Sequence, residues 1–158
     1  MVVVIAAATS GFLIFNFPPA KIFMGDVGSI PLGFLVGAIG VYGRQKEAWP
    51  LWFPVMVFAP FFVDASITLL RRIVRGERVW QAHRQHYYQR LILSGWSHRK
   101  TVLAEYVLML ICSAAAIHCL RTSPAMRSVI IGVLMAVFAI VMWAIDQRWK
   151  RFSGTTHD

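Results

Sequence analysis

The chain has 158 residues, 58% of them hydrophobic, with a mean hydropathy of +0.60 and a formal net charge of +9. It is too apolar for an ordinary soluble domain, and its apolar runs are long enough to cross a bilayer. The basic charge therefore does not mark a nucleic-acid partner, because Lys and Arg gather in one loop and at the C-terminus, as membrane topology requires. The expected fold is all-α, a polytopic membrane protein with about five transmembrane helices and a cytoplasmic amphipathic loop.

In chain order, residues 2–15 are apolar but fall short of the roughly 20 that a spanning helix needs, so they read as the second half of a helix. No basic residue precedes them, which argues against a signal peptide. The stretch from Asn16 to Gly33 follows and places one carboxylate, Asp26, between Gly25 and Gly28. Ser29 is the expected N-cap of the next helix, with Pro31 in its first turn. Bare amides at a helix mouth favour an anion, and a carboxylate beside them suits a hard cation, so a Mg²⁺ diphosphate fits this stretch.

Residues 27–42 form the second expected span, with Gly33, Gly37 and Gly40 spaced for close helix packing. Residues 49–70 form the third, bent by Pro54 and Pro60, with Trp49 as an interfacial anchor. Asp64 lies inside this span, where a carboxylate is costly and faces the bundle interior or water. One reading pairs it locally with an arginine or with the Thr68 hydroxyl at i+4.

The loop 71–100 carries eight Lys and Arg against one acidic residue, Glu77, so it belongs on the cytoplasmic side. Alternation then places the Asn16–Ser29 loop and Arg148–Arg151 on that side too, giving twelve Lys and Arg inside and four outside. Arg71, Arg72, Arg75 and Arg78 read as contacts to anionic lipid headgroups. A zinc site at His83 and His86 lacks further ligands nearby. Residues 101–120 and 128–145 are the last two spans; Glu105 and His118 lie near span ends, where the interface or a local partner satisfies them. Cys112 and Cys119 stand about 10 Å apart along one helix, too far to bond, and read as small buried residues.

The run Phe15-Asn16-Phe17-Pro18-Pro19-Ala20-Lys21-Ile22-Phe23-Met24-Gly25-Asp26-Val27-Gly28-Ser29 resembles the signature of the polyprenyl-phosphate N-acetylhexosamine-1-phosphate transferases. Ala82-His83-Arg84-Gln85-His86, continuing to Arg90-Leu91, resembles that family's histidine-containing loop, with Tyr88 and Gln89 where relatives often carry paired histidines. The departure argues against the peptidoglycan branch. The resemblance implies that a polyprenyl phosphate attacks the β-phosphorus of a UDP-N-acetylhexosamine and UMP leaves, at the bacterial inner membrane. It implies Asp26 as the ligand of Mg²⁺, with Mn²⁺ an alternative, and His86 as the second catalytic residue. Gly28, Ser29, Arg84 and Arg90 are candidate phosphate contacts, Asn16 and Lys21 weaker ones. The resemblance also makes Pro60 to Asp64 a helix end beside the active-site face, so Asp64 and His83 are supporting residues.

Members of that family also carry paired aspartates on earlier cytoplasmic segments, which nothing before Asp26 supplies. The chain is therefore expected to be the C-terminal half of a longer transferase, inactive alone, needing an N-terminal half or forming a homodimer. A different class of reading is a non-catalytic membrane component or split paralogue. A small transporter using Asp64 ranks last, because it leaves the Asp26 stretch without a role.

Overall fold

The computed structural model describes residues 1–78, 80–81 and 86–154. Among them the secondary structure is entirely helical: α1 Val2–Asn16, α2 Gly25–Gln45, α3 Trp52–Val57, α4 Ala59–Val74, α5 Tyr87–Leu93, α6 His98–Cys119 and α7 Pro124–Gly154. The chain divides into two compact units, Met1–Pro54 and Val55–Asp158. Among the described residues three helices are long and apolar enough to cross a membrane: α2, α6 and α7 as far as Phe152; α1 is a shorter apolar helix. The chain is a polytopic membrane protein.

The span expected at 49–70 is two helices. α3 stops at Val57, and α4 restarts at Ala59 with Pro60 in its first turn, where a missing N–H costs nothing. Pro60 thus begins a helix instead of bending one.

In the first unit, the glycine seam expected along α2 is confined to its last turns. Gly33 and Gly37 face open space, whereas Gly40 lies beneath Pro54 and Gly43 beneath the Trp49 indole, whose Nε1 donates to the Gly40 carbonyl at 3.3 Å. A methyl group at Gly43 would overlap a rigid ring. Gly43→Ala is expected to destabilise this unit by about 1–3 kcal/mol, while Gly37→Ala is neutral or mildly stabilising. Thermal unfolding of the two variants in detergent checks the contrast.

In the second unit, α6 packs against α4, α5 and α7. Cys112, Ala116 and Cys119, at i, i+4 and i+7 on one face of α6, are fully buried free thiols and a methyl, and α7 buries Phe138 and Met142. Small side chains let neighbouring helix axes come close in lipid. The Ser97 hydroxyl caps α6 by accepting the Lys100 N–H at 3.3 Å. Near the far end of α7, Arg148 donates to the Ser94 hydroxyl at 3.1 Å and to its carbonyl at 2.9 Å. The end of α7 and the segment after α5 therefore lie together, as the charge distribution requires of two loops on one membrane face.

Candidate functional site

The first unit presents the Asp26 stretch. Asn16 ends α1, and its side-chain amide donates to the Ile22 carbonyl at 2.9 Å, while the Lys21 N–H bonds the Phe15 carbonyl at 2.8 Å. Together they fold residues 17–24 into a closed loop, which gives Asn16 an internal task. Gly25 opens α2 at φ +60°, a conformation that glycine adopts without a Cβ penalty, and Asp26 follows in the first turn. The helix thus begins a turn before the expected Ser29 cap. Its free amides belong to residues from Gly25 to Val27, and those of Gly28 and Ser29 lie further into the helix. Asp26 is exposed, as is Lys21. A carboxylate at a helix mouth, with amides beside it, suits Mg²⁺ shared with a diphosphate, because Mg²⁺ takes one or two carboxylates, phosphate oxygens and water. Among the described residues, no three His, Cys, Asp or Glu side chains gather to cage a metal. Protein ligands alone therefore do not complete such a site.

The second unit builds its site around Asp64 of α4. Its Oδ1 accepts the Thr68 hydroxyl at 3.0 Å, the i+4 partner anticipated from sequence, and also the Tyr87 N–H at 2.9 Å. His86 Nδ1 stands 3.4 Å from the same oxygen. Asp64 thereby satisfies an amide at the start of α5 from a different helix and holds His86 beside it. The His86 ring stacks on Tyr88, and the His86 N–H reaches Gln89 Oε1 at 3.3 Å. Asp64, His86, Tyr88 and Glu105 line one cleft of about 530 Å³, walled on its apolar side by Pro60, Phe61 and Met109. His83 and Arg84 lie outside the described residues.

A second carboxylate, Asp146 of α7, knots three elements. Arg71 at the end of α4 grips it with both terminal nitrogens, at 3.0 and 2.7 Å, and Arg90 of α5 adds a bond of 2.8 Å. Both guanidinium groups lie over the Tyr87 ring, about 5 Å from its centroid, and the Tyr87 hydroxyl stands 3.4 Å from Asp146 Oδ2. Burial, with the Asp146 charge, pushes the Tyr87 phenol up against the opposing pull of the two arginines, so at neutral pH it is a donor. Arg90, expected to contact phosphate, is buried in this knot. Arg71 and Arg72 are not lipid-facing either: Arg72 is 3% exposed, donates to Glu77 at 3.0 Å and caps the Arg78 carbonyl at 2.6 Å.

The short helix that His86 precedes is therefore held on two sides, by Asp64 of α4 and by Asp146 of α7. The sequence model of glycosyl transferase family 4 matches residues 1–44, which contain the Asp26 stretch. Over 156 residues the chain is 31% identical to the probable undecaprenyl-phosphate N-acetylglucosaminyl 1-phosphate transferase of Bacillus subtilis, covering 95% of this chain and 43% of that protein. Along nearly its whole length the chain resembles the C-terminal part of glycosyl transferase family 4 proteins. It is also 34% identical over 153 residues to the decaprenyl-phosphate N-acetylglucosaminephosphotransferase of Mycolicibacterium smegmatis, covering 88% and 37% of the two chains. With the phospho-N-acetylmuramoyl-pentapeptide-transferase of Halalkalibacterium halodurans it shares 30% identity over 118 residues, 72% of this chain and 34% of that one. The chain spans less than half the length of these relatives and matches their C-terminal part. No solved structure matches it.

Sequence reasoning missed Asp146, Arg71 and Tyr87, and it left Glu105 to the membrane interface. Asp146 did carry a signal, since an acidic residue interrupts an apolar helix there. Its partners lie 56 and 75 residues away, beyond any local spacing rule.

Proposed function

We propose that this chain supplies the C-terminal part of a transferase that moves an N-acetylhexosamine 1-phosphate from a UDP-sugar to polyprenyl phosphate, releasing UMP. The reaction lies on the cytoplasmic face of the bacterial inner membrane and begins a cell-envelope glycan such as an O-antigen or capsule. The observation that carries this reading is the exposed Asp26 at the glycine-opened mouth of α2, within the stretch that matches the family. Asp26 would hold Mg²⁺, which neutralises charge on the diphosphate. The free amides of residues 25–27 bind phosphate oxygens, and Lys21 adds a cation at the edge of the loop. His86 hydrogen-bonds or orients the substrate, and Asp64 fixes its position by anchoring the start of α5. Phosphoryl transfer asks a protein mainly for positioning and electrostatics, and these residues supply both.

The test joins this chain to the N-terminal part of the Bacillus subtilis relative, replacing that protein's matching region. The chimera is expected to release UMP from a UDP-N-acetylhexosamine only with polyprenyl phosphate and Mg²⁺. A folded chimera that releases none, beside an active parent, would instead favour the non-catalytic membrane component.

A further inference from the structure

Two of the four arginines expected to meet lipid headgroups, Arg71 and Arg72, are engaged inside the second unit, yet the same unit carries a basic mouth elsewhere. An open groove of about 720 Å³ runs between α6 and α7, lined by Leu103, Val107 and Ile111 on one side and by Val141 and Ile145 on the other. Leu103 to Ile111 covers about 12 Å at the helical rise, enough for the first eight to ten carbons of an extended chain. Trp96 and Arg148 close its polar end. The Lys100 ammonium sits 4.3 Å from the centre of the Trp96 ring, and the two bonds from Arg148 to Ser94 fix its guanidinium there. Arg151 lines an adjoining cleft with Arg148 and Trp143. One carboxylate, Glu105, also lines the groove, and it lies more than a turn deeper along α6 than Lys100.

We infer that this groove binds one anionic glycerophospholipid, an acyl chain lying between α6 and α7 and its phosphate at the Lys100, Trp96 and Arg148 mouth. The apolar walls alone would accept any lipid tail. The cations at one end select a headgroup of net negative charge, since each Lys or Arg near an anionic surface contributes on the order of a fivefold gain in affinity. Trp96 adds an amphipathic ring suited to headgroup depth. The assignment is independent of the transferase reading, because apart from Glu105, which also lines the His86 cleft, none of these residues belongs to the Asp26 or His86 sites.

The test is lipid retention by the purified protein in native mass spectrometry, after extraction from nanodiscs that mix phosphatidylglycerol with phosphatidylcholine. Phosphatidylglycerol should be retained preferentially. Lys100→Gln should weaken that retention roughly fivefold, Ala144→Phe, at a residue of α7 that lines the groove, should abolish it by filling the space, and Arg121→Gln just past the opposite end of α6 should leave it unchanged. Circular dichroism melts confirm that each variant is folded. Equal retention of the two phospholipids, or the same loss in Arg121→Gln as in Lys100→Gln, would overturn the assignment. So would displacement of phosphatidylglycerol by equimolar undecaprenyl phosphate, which would make the groove an acceptor subsite.

Discussion

Asp146→Ala is expected to cost about 3 kcal/mol of stability, the largest loss from any single polar substitution in the second unit. The carboxylate is 20% exposed and its partners Arg90 and Arg71 are 10% and 37% exposed, so removing it takes the carboxylate away from one nearly buried guanidinium and one half-screened one. Leaving a buried charge without its partner costs about 3–5 kcal/mol, and the exposure of Arg71 places the effect at the lower end. Asp146→Asn keeps the volume and one acceptor and should cost less than half as much. Detergent-solubilised protein, followed by thermal unfolding, should rank the variants in that order. A more local consequence accompanies the loss: α5 keeps its tie to Asp64 but loses the one to Asp146, so amide hydrogen exchange across Tyr87–Leu93 should accelerate before that of α6.

Asp26→Asn has the largest expected effect on activity. In the chimera with the Bacillus subtilis N-terminal part, UMP release should fall by roughly two to three orders of magnitude, corresponding to several kcal/mol of lost charge stabilisation on the diphosphate. Stability should not change, because Asp26 is exposed. The pairing of a large kinetic loss with an unchanged melting temperature separates it from Asp146→Ala, whose effect begins in the fold.

The two units were legible in the sequence to different degrees, for physical reasons. Local features could be read: the glycines around Asp26, the Asp64–Thr68 pair at i+4 and the free cysteines of α6 all depend on spacing within one or two turns. The break at Phe58 was missed because a proline inside an apolar run can either bend a helix or start the next, and only the packing of α4 on α6 decides between them. The start of α2 was placed a turn late because Ser29 and Pro31 make a familiar cap, while the positive φ of Gly25 that begins the helix leaves no mark beyond the glycine itself. Arg71 and Arg72 were assigned to lipid because a run of basic residues at a span end usually faces headgroups. Their carboxylates come from Asp146, 75 residues on, and from Glu77, which had been counted only as the one acidic exception in a basic loop.

The central claim is that Asp26 holds a divalent cation against the diphosphate of a nucleotide sugar. Mn²⁺ titration of the chimera, read by electron paramagnetic resonance with and without UDP-N-acetylglucosamine, measures that directly. Saturable Mn²⁺ binding should strengthen when the nucleotide sugar is added and weaken at least tenfold in Asp26→Asn. Binding of the same affinity in Asp26→Asn, with and without the nucleotide sugar, would contradict it.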